Sequence, residues 1–358
     1  MSEAAAYSRL DRLLHRLALG NRAVAEMTFD IEQARVKPDA AAVAEGRHVI
    51  VAGLARAGTT VLMRRFHASG AFRSLTYRDM PFVLAPGLWG QLSGRGRSAT
   101  ATAGERAHGD GVMVDADSPE GLEEVFWRVF AGADYLKADR LVPHRADAEL
   151  IDAYRRFVGS VLASGTAAAA TTVPGAPTRY LAKNNNSILR LPALVEAFPK
   201  ALVLVPWRDP LDQAHSLLAQ HRRFGDPAHD HPFTRAYMGW LGHHEFGPGH
   251  RPFRVGAVTS APSTPPDTLD YWLGLWTEVY GWLAETAPAG VRFVGYEALC
   301  EDAGVWAGLA AAAELPVDFP GAEAFERRGA SGEDGGADPA LVAAARAVQT
   351  RLATLSAA

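Results

Sequence analysis

The chain has 358 residues, of which 48% are hydrophobic, and its formal net charge is −4. This content of hydrophobic residues is enough for a large core, and the length suits one large α/β domain or two average domains. The sequence holds no block of clustered Lys and Arg. This argues against nucleic acid as the main partner, because binding to the phosphate backbone needs such clusters.

Three further features of the sequence bear on the compartment. Cys300 is the single cysteine, which excludes an intramolecular disulfide and is typical of a reducing compartment. Residues 1–20 lack the pattern of a signal peptide. No run of about 18 apolar residues, the length of a membrane span, is present. We therefore expect a soluble cytoplasmic protein without a membrane span, and its oligomeric state stays open.

Predicted strands alternate with predicted helices along the chain. Capping residues mark several helix starts, such as Asp209 before Pro210. Residues 225–267 are rich in Gly, Pro and His and predict a lid-like insertion. The other predicted elements are, in chain order, a helical N-terminal extension (1–45), a strand (48–52), a helix (59–69), a strand (72–77), a helix that starts at Ser118 and Pro119, a helix (146–163), and strands at 179–182, 202–207 and 291–295, each followed by a helix.

This alternation indicates βαβ units and therefore an α/β fold with a central parallel sheet and helices on both faces. We expect such a three-layer fold in a single domain over residues 1–358. In sheets of this kind, ligands bind at the carboxyl ends of the strands. Asp79, Lys183, Arg208 and the loop that begins at Gly53 each follow a predicted strand. We therefore expect these four sites to meet at one edge of the sheet.

The loop after the first strand has the pattern of an anion-binding loop. Gly53 and Gly58 have the spacing of the P-loop pattern Gly-x-x-x-x-Gly-Lys-[Ser/Thr], but Thr59 stands in place of the Lys and Arg56 lies inside the loop. A Gly-bounded loop of this kind turns its backbone N–H groups toward one point, and the following helix adds partial positive charge. The loop therefore predicts a site for an anion, most often a phosphate.

Several motifs together resemble those of sulfotransferases that use 3′-phosphoadenosine 5′-phosphosulfate (PAPS). The run from Gly53 to Thr60 resembles their 5′-phosphosulfate loop. Arg208 at a strand end, followed by Ser216 on the next helix, resembles their 3′-phosphate motif. The remaining matches are Ala182-Lys183-Asn184, which resembles the arrangement in tyrosylprotein and glycan sulfotransferases, and Val294-Gly295-Tyr296-Glu297-Ala298-Leu299, which resembles a late strand and helix of the family. The resemblance covers about residues 48 to 315.

This resemblance implies a P-loop-like fold and in-line transfer of the sulfuryl group from PAPS to a hydroxyl, or an amine, of a small-molecule, glycan or peptide acceptor. PAPS is then the co-substrate, and no metal is expected. The implied catalytic residues are Asp79, Lys183 and Arg56. The implied cofactor-binding residues are Arg56, Ala57, Gly58, Thr59, Thr60, Arg208, Ser216 and Arg328, the last from a weak match near the C-terminus.

The chemistry of the loop agrees with this resemblance. ATP and GTP reactions need a Lys on the β- and γ-phosphates and a bound Mg²⁺. PAPS has one phosphate beside the sulfate, which Arg56, the loop N–H groups and the hydroxyls of Thr59 and Thr60 can hold. Lys183 is suited to stabilise charge on the bridging oxygen as the sulfur–oxygen bond breaks. The absent Lys therefore favours a sulfotransferase over a kinase.

The residue that accepts the acceptor's proton stays open at this point. Asp79 is one candidate, although it is equally suited to an ion pair with Arg78. The alternatives lie in the loop that follows, at His108, Asp110 and Asp115. For Arg208, an ion pair with Asp209 is the competing interpretation.

Other polar and aromatic groups favour structural interpretations. Glu123 and Glu124 are expected on a solvated acid face rather than in the acceptor site. The histidines of the insertion favour a lid over a metal site, and the aromatic helix that contains Tyr271, Trp272, Trp276 and Tyr280 favours core packing. The alternative functions are a P-loop-type small-molecule kinase and a non-catalytic nucleotide-binding protein.

Overall fold

The computed structural model describes residues 8–93, 104–105, 113–114, 119–164, 179–226, 232–256, 264–321, 324–327 and 336–357. The helices are α1 (Arg9–Ala18), α2 (Arg22–Val36), α3 (Ala40–Ala44), α4 (Thr59–Ala68), α5 (Pro86–Leu92), α6 (Glu124–Tyr135), α7 (Ala148–Ser164), α8 (Leu191–Ala197), α9 (Pro210–Gly225), α10 (Pro232–Trp240), α11 (Leu269–Thr286), α12 (Tyr296–Glu301), α13 (Ala303–Ala312) and α14 (Pro339–Ala357). The strands are β1 (Val49–Val51), β2 (Phe72–Arg73), β3 (Gly104–Glu105), β4 (Met113–Val114), β5 (Arg179–Lys183), β6 (Leu202–Trp207) and β7 (Val291–Gly295). Short 3-10 helices lie at Tyr77–Asp79, Asn185–Arg190 and Gly247–Gly249.

A parallel sheet with the strand order β2-β5-β1-β6-β7 forms the centre of the fold. β1 lies between β5 and β6, and Val51 at its end is in register with Lys183 and Leu204. β3 and β4 form a separate antiparallel pair. Because β1, β5 and β6 are parallel neighbours, the segments that follow them start at the same edge of the sheet.

Helices cover both faces of this sheet. In β1, Ile50 belongs to a large apolar core with α6, α7, α9 and α11, whereas Val49 and Val51 belong to a smaller core with α4 and α13. Successive side chains of a strand point to opposite faces, so this alternation places one core on each side of the sheet. The predicted three-layer α/β fold is therefore confirmed.

The N-terminal helices pack against the rest of the domain. Glu32 in α2 is fully buried, and its two carboxylate oxygens accept the backbone N–H groups of Gly87 (3.1 Å) and Leu88 (2.9 Å) at the start of α5. Arg35 pairs with the same carboxylate at 2.6 Å. The first N–H groups of a helix have no partner within the helix, and a carboxylate there also interacts favourably with the helix dipole. Glu32 thus connects the helical N-terminal segment to the domain.

Two predicted elements are wrong in extent. The strand predicted at 72–77 ends at Arg73, and Tyr77 begins a 3-10 helix. The helix predicted from Ser118 and Pro119 begins at Glu124. Pro119 instead forms an isolated bridge with Thr76. This long-range pairing overrides the local helix-start pattern.

Among the described residues, no helix combines the length and the apolar character that crossing a membrane would require.

Candidate functional site

The loop between β1 and α4 has a backbone that depends on glycine. Arg56 and Gly58 have positive φ angles of 67° and 83°. A Cβ atom on Gly58 would lie 2.3 Å from the ring of Tyr296, so a larger residue does not fit. Gly58 is also the N-cap of α4 and makes no side-chain cap hydrogen bond. The first-turn N–H groups of α4 therefore have no side-chain cap, an arrangement that suits an anion.

Buried hydrogen bonds hold this loop on the sheet. Gln213 Nε2 in α9 donates to the carbonyl of Ala55 at 2.9 Å, and Gln213 Oε1 accepts from the indole N–H of Trp276 at 3.0 Å. Gly53 lies so close to β6 that a Cβ atom there would be 2.9 Å from the carbonyl oxygen of Pro206. The loop is thus positioned by α9, α11 and the neighbouring strand.

The two predicted phosphate motifs come into direct contact. Arg56 Nε donates to Ser216 Oγ at 2.9 Å, across 160 positions of the sequence. Arg56 lies in the loop after β1, and Ser216 lies on α9, the helix that follows Arg208. The structure therefore joins the loop and the second motif through a hydrogen bond from a charged donor.

Arg208 directly follows β6 and is buried, with 9% of its surface exposed. Its guanidinium nitrogens lie 3.6 Å from the carboxylate of Asp212 and 3.7 Å from that of Glu297. Burial raises the pKa of Glu297. Asp209, the competing partner suggested by the sequence, instead caps α9 as predicted and pairs with Arg346. Arg208 is therefore oriented by Asp212 and Glu297 rather than by its chain neighbour.

The segment at the start of α12 packs against both motifs. The ring of Tyr296 covers Gly58, and its hydroxyl donates to the carbonyl of Glu326 at 2.9 Å. Glu297 Oε1 accepts the backbone N–H of Asp209 at 3.1 Å. The motif that contains Tyr296 and Glu297 thus supports both sites: Tyr296 packs on the loop, and Glu297 contacts the Arg208 region.

Lys183 is the last residue of β5 and is in register with Val51 at the end of β1. It is buried, with 5% of its surface exposed. Gly121 packs against it, because a Cβ atom on Gly121 would lie 2.9 Å from the Lys183 carbonyl oxygen and 3.9 Å from Nζ. Lys183 therefore ends its strand at the same sheet edge as the loop after β1, where the sequence predicted it.

The sequence profile of the sulfotransferase family matches residues 48–318, a range that includes these motifs. The chain belongs to the sulfotransferase family. No curated protein matches the chain.

Three solved structures of bacterial sulfotransferases are similar to this sulfotransferase. Sulfotransferase STF9 from Mycobacterium avium is 15% identical, with a TM-score of 0.44, over 94% of this chain and 74% of that one. Sulfotransferase STF1 from Mycobacterium tuberculosis is 17% identical, with a TM-score of 0.49, over 97% and 86%. A sulfotransferase from Alicyclobacillus acidocaldarius is 14% identical, with a TM-score of 0.40, over 87% and 95%.

Asp79 is buried in the 3-10 helix Tyr77–Asp79 of this sulfotransferase. Its Oδ1 pairs with the Arg73 guanidinium at 2.6 Å, and its Oδ2 accepts the backbone N–H of Thr76 at 2.8 Å. The ion-pair partner is therefore Arg73, whereas the sequence suggested Arg78. Asp79 as the base for the acceptor stays a prediction, and the structure gives this carboxylate a second role in holding the turn after β2.

Four other predicted residues lie outside the described part of the chain. They are Arg328 for the cofactor and the alternative bases His108, Asp110 and Asp115. These four assignments stay predictions.

Glu123 and Glu124 are both buried, so the predicted solvated acid face is wrong. Glu123 Oε2 accepts hydrogen bonds from the hydroxyls of Tyr154 (2.7 Å) and Tyr180 (2.8 Å). Burial raises the pKa of Glu123. The phenol donors come from α7 and β5 and lie 31 and 57 positions from Glu123, so the local sequence pattern could not reveal them.

Glu124 forms a buried ion pair with Arg190 that the sequence did not indicate. Its Oε1 lies 3.2 Å from Arg190 Nη2, and both side chains are almost fully buried. The Arg190 guanidinium lies over the rings of Trp127 and Tyr135, 4.7 and 4.6 Å from their centres. Glu124 Oε2 accepts from the amide of Asn184 at 2.7 Å. Because Asn184 follows Lys183 in the chain, this network fixes the backbone next to the predicted catalytic lysine.

Glu245 is a further carboxylate at this edge that sequence reasoning missed, and it is half-buried. Its Oε1 accepts from the Asn185 amide at 2.9 Å, and its Oε2 lies 3.5 Å from His243 Nδ1. Burial alone would raise the pKa of Glu245, but the charges of His243 and Lys183 and these hydrogen bonds hold it well below the ordinary value. Its only sequence signal is a Glu beside several His in the predicted insertion.

The described histidines of the insertion have partners within the protein. His250 Nε2, for example, lies 2.6 Å from the Tyr271 hydroxyl. Within the described ranges, no group of three or more His, Cys, Asp and Glu side chains could hold a metal ion. The aromatic residues of α11 are buried in the larger core, which confirms the predicted core packing for Tyr271, Trp272, Trp276 and Tyr280.

Proposed function

We propose that this sulfotransferase uses PAPS and transfers its sulfuryl group in line to a hydroxyl, or an amine, of an acceptor. Adenosine 3′,5′-bisphosphate is the other product. The observation that carries the proposal is the hydrogen bond between Arg56 and Ser216, which joins the anion-binding loop to the helix that follows Arg208. One PAPS molecule, which carries phosphate groups at the 3′ and 5′ positions of its ribose, would contact both motifs at once.

The loop after β1 is suited to the 5′-phosphosulfate. Gly58 leaves the first-turn N–H groups of α4 without a side-chain cap, and Arg56 adds a positive charge beside them. The hydroxyls of Thr59 and Thr60 supply further hydrogen-bond donors, and the backbone N–H of Ala57 makes only a long bond of 3.4 Å, to the Leu54 carbonyl oxygen. Phosphate and sulfate oxygens accept hydrogen bonds from all these groups. This set of hydrogen-bond donors therefore fits a phosphosulfate.

Arg208 and Ser216 are suited to the 3′-phosphate. The guanidinium of Arg208 lies 3.6 Å from Asp212 and 3.7 Å from Glu297, and its planar set of N–H donors matches the geometry of a phosphate. Ser216 accepts from Arg56 and keeps its own O–H group as a donor. An Arg–phosphate contact in a buried site contributes about 1.5–3 kcal/mol.

The chemical step needs charge stabilisation and a proton acceptor. Lys183, buried at the end of β5, stabilises the negative charge on the oxygen that bridges sulfur and phosphorus. Arg56 neutralises charge on the other side of the transferring group. Asp79 accepts the acceptor's proton, with His108 as the alternative base. We further propose a single domain over residues 1–358, with residues 225–267 as a lid on the acceptor.

Isothermal titration with two adenine nucleotides tests the donor assignment. Adenosine 3′,5′-bisphosphate should bind. Arg208→Ala should lower its affinity about 10- to 100-fold, because the 3′-phosphate loses a charged partner. Adenosine 5′-monophosphate lacks that phosphate, so its affinity should be the same in both proteins. Arg351→Ala, which removes an exposed guanidinium paired with Glu285, is the matched control and should change neither affinity.

Two results would contradict the donor assignment. One is an equal loss of both nucleotides in Arg208→Ala. The other is tight binding of ATP with Mg²⁺ in a protein that does not bind adenosine 3′,5′-bisphosphate, a result that would favour kinase-type chemistry.

A further inference from the structure

The C-terminal helix α14 packs against the elements that surround the proposed 3′-phosphate site. It begins at Pro339, beyond the residues 48–318 that match the family profile. Ala345 and Leu352 of this helix are fully buried in the larger core. The helix contacts β7, α9 and α11. It is therefore an integral part of the domain that the family match does not include.

Helix α14 holds both chain neighbours of Arg208. On one side, the indole N–H of Trp207 donates to Ser356 Oγ at 3.0 Å. On the other side, Asp209 Oδ2 pairs with the guanidinium of Arg346. The two residues that flank Arg208 in the sequence are thus contacted by side chains of the same helix.

The two carboxylate oxygens of Asp209 have different partners. Oδ1 accepts the backbone N–H groups of Leu211 (3.0 Å) and Asp212 (3.2 Å) and so caps α9. Oδ2 pairs with Arg346. Burial alone would raise the pKa of Asp209, but the hydrogen bonds from Arg346 and from the start of α9 hold it below the ordinary value. Asp209 is therefore ionised at neutral pH, directly beside Arg208 in the chain.

An ionised Asp209 opposes the binding of an anion by its neighbour unless a cation neutralises it. The Arg208 guanidinium already lies 3.6 Å from the carboxylate of Asp212 and 3.7 Å from that of Glu297. A third carboxylate without a counter-ion would compete with a phosphate for this guanidinium and would repel the phosphate charge. Arg346 supplies the counter-ion, and it engages the oxygen of Asp209 that the helix cap does not use.

We propose that Arg346 is a positioning residue of the 3′-phosphate site, because its pairing with Asp209 keeps that carboxylate from competing with the phosphate for Arg208. This inference rests on the proposed function, since it concerns the phosphate that Arg208 is proposed to bind. Arg346 acts through Asp209 and does not need to touch the nucleotide. The affinity for the donor then depends on α14, although this helix lies outside the family match.

Isothermal titration with adenosine 3′,5′-bisphosphate and adenosine 5′-monophosphate tests this role. Arg346→Ala should lower the affinity for the bisphosphate about 5- to 10-fold and leave that for the monophosphate within about 2-fold, because only the bisphosphate carries a 3′-phosphate. Arg351→Ala removes the same charge from the same helix, where Arg351 pairs with Glu285, and should change neither affinity. Because both ion pairs are partly exposed, both variants should stay folded, and urea unfolding checks this.

The substitution Asp209→Asn distinguishes a positioning role from a direct contact with the nucleotide. Asparagine keeps a side-chain oxygen for the cap of α9 but carries no charge. In the double variant with Arg346→Ala and Asp209→Asn, the bisphosphate should therefore bind within about 2-fold of its affinity for the natural protein. If Arg346 touched the phosphate itself, or only stabilised the fold, removing the charge of Asp209 would not restore the affinity.

Three results would overturn the inference in a protein that binds the bisphosphate more tightly than the monophosphate. They are an unchanged affinity in Arg346→Ala, an equal loss of both nucleotides, and a loss that Asp209→Asn does not restore. In each case the proposed donor would stand. If the natural protein binds both nucleotides equally, the 3′-phosphate has no site, and both the proposed donor and this inference fall.

Discussion

Arg56 Nε and Ser216 Oγ, 160 positions apart in the sequence, lie 2.9 Å apart in the structure. Arg56 sits in a left-handed backbone conformation, with φ of 67°, that a non-glycine residue seldom adopts. Such conformations persist where the surroundings hold them, and they are often found at functional sites. Here the Ala55 carbonyl beside it is fixed by Gln213, and Gly58 is fixed by the ring of Tyr296.

Ser216→Ala should weaken the binding of adenosine 3′,5′-bisphosphate about 10-fold. The substitution removes the acceptor of the Arg56 hydrogen bond and one proposed donor to the nucleotide, and hydrogen bonds of charged groups contribute about 1.5–3 kcal/mol. Titration calorimetry at fixed ionic strength gives the dissociation constant. Ser216→Thr keeps a hydroxyl and should stay closer to the natural protein. An unchanged constant in Ser216→Ala would mean that this contact does not belong to the nucleotide site.

Asp79→Asn should abolish turnover and leave the affinity for adenosine 3′,5′-bisphosphate unchanged, because a neutral amide cannot accept the acceptor's proton. It should also lower the free energy of unfolding by about 1–3 kcal/mol, since Arg73 loses its charged partner. Steady-state kinetics and urea unfolding measure the two effects.

Arg73→Gln separates the two roles of Asp79. This variant breaks the same ion pair but keeps the carboxylate, so it should lose stability and retain turnover. If both variants lose turnover equally, Asp79 supports the structure and the base lies elsewhere.

Arg190→Met should destabilise the protein by about 3–5 kcal/mol, because it leaves the Glu124 carboxylate buried without its ion-pair partner. Glu124→Leu should have a comparable cost for the same reason. The double variant replaces the pair by apolar side chains and should lose less than the sum of the two single variants. Urea unfolding of the three variants gives these values, and strict additivity would show that the two charges are not coupled.

Because His48 is buried, we expect the protein to lose stability in mild acid. Burial lowers its pKa from the ordinary value of 6.5 to about 4. Both nitrogens of the neutral ring form hydrogen bonds: Nε2 lies 2.9 Å from the Val43 carbonyl oxygen, and Nδ1 accepts the Tyr180 N–H at 3.0 Å. Between these pKa values the unfolded chain binds the proton more readily than the folded protein does. The stability contribution is therefore complete above about pH 6.5 and decreases toward pH 4, by at most about 3 kcal/mol.

Urea unfolding of the natural protein and of His48→Gln at pH 7.5 and pH 5 measures this effect. Glutamine keeps the hydrogen-bonding capacity but does not titrate, so its loss of stability between the two pH values should be smaller by about 1–2 kcal/mol. Other buried histidines contribute equally to both proteins. Identical losses would mean that His48 is not a source of the pH dependence.

The sequence predicts the elements that local chemistry determines. The strand Leu202–Trp207 and the helix start at Asp209-Pro210 agree with the structure, because an apolar run and a capping residue are local signals. The order of strands with polar residues after them likewise predicts one common edge. Lys183 and the Gly53 loop both lie there.

The features that escape prediction depend on long-range contacts. The partner of Glu124 is Arg190, 66 positions away, and no local pattern in α6 indicates it. The helix predicted at Ser118 starts only at Glu124, because the preceding residues pack on Thr76 and Lys183. A local pattern cannot distinguish a solvated Glu from one that is buried against a distant cation.

The most direct test of the central claim follows labelled sulfate from PAPS to an acceptor. Incubated with radiolabelled PAPS and a panel of alcohols, phenols, sugars and peptides, the protein should label an acceptor and release adenosine 3′,5′-bisphosphate in equal amount. Lys183→Met should bind that nucleotide normally and transfer no label, because the bridging oxygen loses its charge partner. Tight binding of the nucleotide by the natural protein with no transfer to any acceptor would contradict the account and favour a non-catalytic nucleotide-binding protein.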